Sequence, residues 1–213
     1  MGKRQTKNSI QRVLIICVTI LSFGTAVKAQ NIDIDLLRRI NLGRSQSLDN
    51  SFLAITNSAE PVALAVPVGL FVAGWIKKDS SLKCNAIQIV GALAVSTALT
   101  EGLKYVIKRP RPYVTYPDIQ HKAAEGSPSF PSGHSAVAFT IATSLSLNYP
   151  KWYVIAPSYL WAATVAYSRM DLGVHYPSDV LVGMLIGAGS SYLCYKGQQW
   201  LDRKRGKSAV SGQ

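Results

Sequence analysis

Cysteine is scarce, with three residues in 213, and acidic residues are outnumbered, 11 Asp and Glu against 23 Lys and Arg. Three cysteines build no disulfide framework. Cys17 follows Leu14-Ile15-Ile16 and lacks the small residues that a lipid-attachment site places before its Cys. Cys84 and Cys194 flank apolar segments, where the expectation is a small buried hydrophobe. Charge of either sign is sparse, 16% of residues against 48% hydrophobic, and mean hydropathy is positive at +0.14. That is too apolar for an ordinary soluble domain. The net charge of +12 is dispersed among apolar runs instead of forming one patch, which excludes a nucleic-acid reading. A membrane or a phosphate-bearing partner fits better. The chain has no internal repeat and no low-complexity stretch.

The first thirty residues have the layout of a secretory signal. Lys3, Arg4, Lys7 and Arg12 precede an apolar run over 13–23, and Val27-Lys28-Ala29 stands before Gln30. Lys28 is unusual so near a cleavage site, so a cleaved signal peptide and an uncleaved signal anchor both stay open. Residues 30–58 place Ile34, Leu37, Ile40, Leu48, Phe52 and Ile55 at roughly helical spacing among polar residues. An interfacial amphipathic helix or a packing helix follows from that pattern.

Five apolar segments come next, at about 61–76, 85–107, 134–149, 152–168 and 177–195. They are apolar nearly all round and rich in Gly, Ala, Ser and Thr, as packed membrane helices are. Several are shorter than the ~20 residues expected of a spanning helix. Charge placement adds a second argument. With residue 30 outside the cytoplasmic membrane, Lys77, Lys78 and Lys83 fall inside, and so does the tail Arg203-Lys204-Arg205-Gly206-Lys207. The expected fold is an all-α, membrane-embedded bundle of about five transmembrane helices after the signal or anchor. Its expected layout is 1–29 signal or anchor, 30–60 amphipathic segment, 61–196 membrane domain and 197–213 basic cytoplasmic tail.

The same topology brings four polar helix ends to the outer face: Lys104 through Arg111-Pro112, Pro131-Ser132-Gly133-His134, Ser168-Arg169, and His175 with Asp179. Each has a plain reading: basic residues that snorkel, a capped helix with an incidental His, an Asp that favours a helix dipole. Together they describe an anion site, because Arg offers a planar fork for two oxygens and a helix start offers free N–H groups. An Asp four residues after His175 suits holding one ring N–H so that the other nitrogen is a free nucleophile.

The chain resembles the type 2 phosphatidic acid phosphatase (PAP2) superfamily, whose three motifs read here as Lys104-YVIKRP-Arg111-Pro112, Pro131-Ser132-Gly133-His134 and Ser168-Arg169-MDLGV-His175-YPS-Asp179. Every motif position is matched in residue and spacing. The resemblance implies a phosphatase. His175 would attack phosphorus, Asp179 would orient it, and His134 would protonate the leaving oxygen. Lys104, Arg111, Arg169, the Ser132 hydroxyl and the Gly133 N–H would hold the phosphate oxygens. Gly133 would be required because a side chain there would obstruct backbone approach to phosphate. No metal and no cofactor is implied, and Asp118, Glu125 and Asp171 have no metal-ligand spacing.

The remaining residues carry simpler expectations. Lys108 and Arg109 add positive field, touch a headgroup or anchor the membrane. His121 is a surface residue with substrate gating as the alternative, Glu101 pairs with Lys104 or a neighbouring helix, and Tyr113 and Tyr116 belong to an interfacial aromatic belt. The implied substrate is a phosphorylated envelope lipid met on the periplasmic face of a bacterial inner membrane. Lipid A phosphate leads, with undecaprenyl diphosphate and phosphatidylglycerol phosphate as alternatives. A catalytically silent membrane interaction protein is the reading from another class, and oligomeric state is left open.

Overall fold

The computed structural model describes residues 32–123 and 125–211, with side chains placed as far as Lys204. The proposed signal lies outside the described residues. The described chain is helical: α1 over 32–42, a 3-10 turn at Gln46–Leu48, α2 Asp49–Asn57, α3 Ala59–Ile76, α4 Ser80–Ile107, a short α5 Pro112–Thr115, α6 Gly133–Asn148, α7 Trp152–Asp171 and α8 Pro177–Ser211. Five long helices, α3, α4, α6, α7 and α8, coincide with the five apolar segments. The Gln46–Ile76 and Ser80–Thr115 stretches are long and apolar enough to cross a membrane by themselves.

The helix ends have local causes. Asp79 precedes α4 and its carboxylate accepts from the Ser81 and Leu82 N–H groups at 2.8 and 3.3 Å. Lys108 ends α4 in the left-handed region, at φ 49°, and Pro110 follows. Ser132 caps α6 by accepting from Ser135 N–H at 3.4 Å.

Packing is inverted relative to a water-soluble bundle. Large apolar side chains face outward: Leu64, Phe71 and Trp75 on α3, Val90 and Val106 on α4, Leu185 and Leu193 on α8. The interior is made of small residues, among them Ala86, Ala92, Ala136, Ala138, Ala142, Ala162 and Ala166. Lipid, not water, is the solvent such a surface fits. Helix α6 is the central element and packs on α8, α7, α4 and α3. Its closest neighbour is α8, where a Cβ on Gly187 would stand 2.2 Å from the Ala136 carbonyl oxygen, and one on Gly183 2.4 Å from that of Ser132. Polar cross-links join the same helices: Ser144 Oγ donates to Ser191 Oγ at 3.1 Å, and Asn148 Nδ2 to Gln88 Oε1 at 2.8 Å.

Two expectations change here. Cys84 is exposed and Cys194 half-buried, because both lie on outward faces of their helices. Tyr113 and Tyr116 pack inward on the cluster of Ile34, Leu37, Ile119 and Tyr176 instead of forming a belt. That cluster also settles α1, which is a packing helix with Leu37 fully buried.

Candidate active site

The turn between α7 and α8 carries the proposed nucleophile. Gly173 makes this turn at φ +71°, and a Cβ there would lie 2.4 Å from the Gln120 carbonyl oxygen. The Val174 and His175 N–H groups then donate to the Arg169 carbonyl at 3.1 and 3.2 Å. Asn41 of α1, fully buried, donates to the carbonyls of Gln120 and Asp171 at 2.7 and 2.8 Å and fastens the turn from behind.

His175 is 1% exposed. Its Nε2 lies 3.2 Å from Arg111 Nη1. Arginine has no acceptor, so Nη1 donates and Nε2 accepts, which leaves the ring proton on Nδ1. Nδ1 faces Asp179 Oδ2 at 3.5 Å without forming a hydrogen bond in this geometry. Burial pushes His175 down to about 3, and the charges of Arg169 and Arg111 act the same way against the opposing pull of Asp179. The ring is therefore a neutral base with its lone pair toward the arginines.

Asp179 is held from all sides. Arg109 Nη1 donates to Oδ1 at 2.6 Å; Ser129 Oγ and the Tyr176 N–H donate to Oδ2 at 2.5 and 3.0 Å. Arg109 is in turn held by Asp33 of α1 at 2.7 Å, and its guanidinium lies 3.7 Å from the centre of the Tyr176 ring. Asp33 also accepts from the Ser178 N–H and hydroxyl at 2.8 and 2.5 Å. Neither Arg109 nor Asp33 was assigned a place beside the histidine from sequence. Arg109 sits at a variable position inside the first motif, and Asp33 is far away along the chain.

The proposed phosphate-binding cations converge. Arg169 is 1% exposed and donates through Nη1 to Thr56 Oγ1 at 3.0 Å, while its buried Nε has no hydrogen-bond partner among the described residues. Arg111 Nη2 donates to Glu125 Oε2 at 2.6 Å, and Arg169 Nη2 donates to Glu125 Oε1. Burial lowers the Arg111 guanidinium from its ordinary value. Lys104 Nζ pairs with Glu101 at 3.3 Å, as expected, and donates to Ser127 Oγ at 3.2 Å. Ser127 Oγ also accepts from Arg111 Nη2 at 3.2 Å and so joins the two cations.

A cavity of about 420 Å³ opens beside them, lined by Lys104, Gly133, His134, Glu125, Ser127 and Thr100 among others, with Glu60 and Glu101 at its rim. A Cβ added at Gly133 would meet nothing nearer than Lys104 Nζ at 3.8 Å, so the space in front of this glycine is the cavity itself. Ser132 differs from expectation. It is fully buried, its hydroxyl is engaged with Ser135 at 2.9 Å, and it serves the α6 cap and does not line the cavity. Lys108 ends α4 and His121 stacks on Tyr113 at 4.2 Å.

Residues 85–203 match the PAP2 superfamily. A putative undecaprenyl-diphosphatase of Escherichia coli is 32% identical over 161 residues, 74% of this chain and 78% of that one. The undecaprenyl-diphosphatase of Sulfolobus acidocaldarius is 36% identical over 108 residues, and the match spans only about half its length, 52%. The lipid A 4'-phosphatase of Bacteroides thetaiotaomicron is 39% identical over 70 residues, 33% of this chain and 31% of that one. Among solved structures, Aquifex aeolicus LpxE superposes with a TM-score of 0.67 at 32% identity, covering 78% of this chain and 95% of that one. A transmembrane phosphatidylglycerolphosphate phosphatase from Bacillus subtilis gives 0.65 at 25% identity, covering 90% and 96%.

Proposed function

Since the chain belongs to the PAP2 superfamily, we propose that it is an integral-membrane phosphatase that removes phosphate from an envelope lipid through a phosphohistidine intermediate. The observation that carries this reading is the His175 Nε2 lone pair, directed at Arg111 Nη1 with Arg169 beside it. An in-line attack by Nε2 forms the N–P bond while the P–O bond to the lipid breaks. His134 gives a proton to the departing oxygen. The imidazolium charge is met by Asp179 through Nδ1–H. Water then attacks phosphorus, His134 takes its proton, and the N–P bond breaks to release inorganic phosphate. Lys104, Arg111 and Arg169, with the Gly133 N–H at the start of α6, stabilise the charge on the phosphoryl oxygens. Ser132 acts here as the cap that aims that N–H. Neither a metal nor a cofactor has a step in this scheme.

Charge placement supports an outward-facing site. Along α4, Lys83 and Lys104 are separated by roughly 30 Å, about the hydrocarbon thickness of a bilayer. Asp179 and the Arg203-Lys204 pair are separated along α8 by a similar length. Positive residues stay on the cytoplasmic side, which turns the site toward the periplasm of a bacterial inner membrane. In this reading the body of the enzyme is 61–196, preceded by the amphipathic segment 30–60 and followed by the basic cytoplasmic tail 197–213.

For substrate, the lining favours a lipid A phosphate. Glu60 and Glu101 at the cavity rim suit the hydroxyls and amides of a sugar leaving group and oppose the second phosphate of undecaprenyl diphosphate. Undecaprenyl diphosphate is the alternative because relatives carrying that name match over more of the chain. Phosphate release by detergent-solubilised protein, assayed on both lipids and on phosphatidylglycerol phosphate beside a His175→Ala control, tests the reading. Release from lipid A that the control abolishes is the expected result. Folded protein that releases phosphate from none of them would favour a silent membrane interaction protein.

A further inference from the structure

Glu125 and Ser127 stand between the cavity and His175. Glu125 and Ser127 line the cavity, whereas His175, Arg111 and Arg169 stand behind them and, among the described residues, are not part of its lining. Glu125 bridges the two arginines with one carboxylate oxygen on each. These are the N–H groups that a phosphoryl group would need. The His175 lone pair is likewise engaged by Arg111. The backbone of Glu125 is held at the same time: its N–H donates to Tyr113 Oη and its carbonyl accepts from that hydroxyl, both at 3.3 Å, and Tyr113 is stacked on His121. A carboxylate is thus held in an oxyanion position, in front of a histidine that substrate must reach.

We propose that Glu125 is a built-in competitor for the phosphate site, a carboxylate that occupies Arg111 and Arg169 between turnovers and must be displaced by the substrate's phosphate. This inference rests on the phosphatase reading above. The physical reason for such a residue is charge balance. Two largely buried guanidiniums without an anion carry a desolvation cost that Glu125 offsets. The consequence is selectivity. A tetrahedral oxyanion that offers oxygens to both forks at once outcompetes one carboxylate, while a second carboxylate or a halide does not. The return of Glu125 also helps expel inorganic phosphate, which binds the same N–H groups. Because the closed form must open first, apparent anion affinity is reduced by the fraction of open protein, about tenfold if closed outnumbers open ten to one.

The test compares wild type with Glu125→Gln, Glu125→Ala and Glu125→Asp in detergent micelles. It measures inhibition constants for orthovanadate and inorganic phosphate, together with thermal unfolding of each variant. If Glu125 competes, Gln and Ala bind both anions more tightly than wild type, by roughly tenfold, and Asp falls between. If Glu125 instead buttresses the arginines, Gln and Ala bind them more weakly, and that sign overturns the proposal. A second measurement needs no variant: amide hydrogen exchange over 119–130 in the wild type is expected to rise when vanadate binds. Unchanged exchange with vanadate bound also overturns it. Wild type that neither hydrolyses lipid phosphate nor binds vanadate would sink the phosphatase reading and this proposal together. Normal wild-type inhibition with variants that match it sinks only the proposal.

Discussion

Arg109 Nη1 lies 2.6 Å from Asp179 Oδ1, which makes a variable position of the first motif the main support of the carboxylate beside His175. Asp33 holds the other side of the guanidinium at 2.7 Å. The chain Asp33–Arg109–Asp179–His175 runs from the first described helix to the proposed nucleophile. Arg109→Ala is expected to lower kcat roughly 10- to 100-fold, because a charge-assisted hydrogen bond of about 1.5–3 kcal/mol is lost. KM should change far less, and Arg109→Lys should recover part of the rate. Asp33→Ala acts through the same link, so the double variant should fall well short of the summed single effects. Additive losses would break the chain apart.

Gly133 separates folding from function. Nothing lies within 3.8 Å of an added Cβ, so Gly133→Ala should leave the thermal unfolding midpoint unchanged or slightly raised. The methyl group would project into the cavity beside Lys104, and kcat/KM should drop at least about tenfold. Full activity in a stable Gly133→Ala protein would show that phosphate does not approach this backbone.

The α6–α8 seam makes the opposite prediction. Gly187→Ala places a methyl 2.2 Å from the Ala136 carbonyl oxygen, so the helices must separate. A loss of about 1–3 kcal/mol is expected. Gly189→Ala, where a Cβ meets nothing within 4 Å on the same helix, is the control and should be neutral or mildly stabilising. Matching unfolding midpoints for the two variants would contradict the close packing.

His175 stays neutral in the fold because burial pushes it down to about 3, while an unfolded histidine titrates near 6.5. Above pH ~6.5 both states are neutral there and His175 adds no pH dependence. As pH falls through that value the unfolded chain takes a proton that the folded one refuses, so stability declines toward acid by up to about 1.4 kcal/mol per unit. Thermal unfolding between pH 7 and 4.5 should therefore slope less steeply in His175→Gln than in wild type. Nitrogen-15 NMR of the histidines should show His175 as the neutral Nδ1–H tautomer at pH 5. An imidazolium signal for His175 at that pH would refute this assignment.

In the proposed mechanism, three cations and a helix start perform the charge neutralisation that a metal ion performs elsewhere. Lipid phosphatase activity is thus expected to survive EDTA unchanged and to be inhibited by vanadate, measured as phosphate release. Loss on chelation with recovery on adding a divalent ion would rule out the scheme.

The helical layout was legible in the sequence because each long helix contains a predominantly apolar run, and local signals such as Asp79 before α4 and Ser132 before α6 mark helix starts. The three motifs were legible too, since their residue types and spacing are local, with His175 in the turn four residues before Asp179 in the first turn of α8. Local spacing could not assign Asp33 or Glu125. The partners of Asp33 lie 76 and 145 residues away and those of Glu125 lie 14 and 44 away, and an isolated carboxylate in a polar stretch has no period to betray it. The same limit applies to Ser132, whose hydroxyl suits a cap and a phosphate equally until packing buries it against Ser135. Composition and spacing determined that this chain is a membrane helix bundle with a phosphate-type cluster of cations and histidines. Only the tertiary structure decided which charges neutralise one another, because ion pairing in a buried site depends on distances in space that sequence separation does not encode.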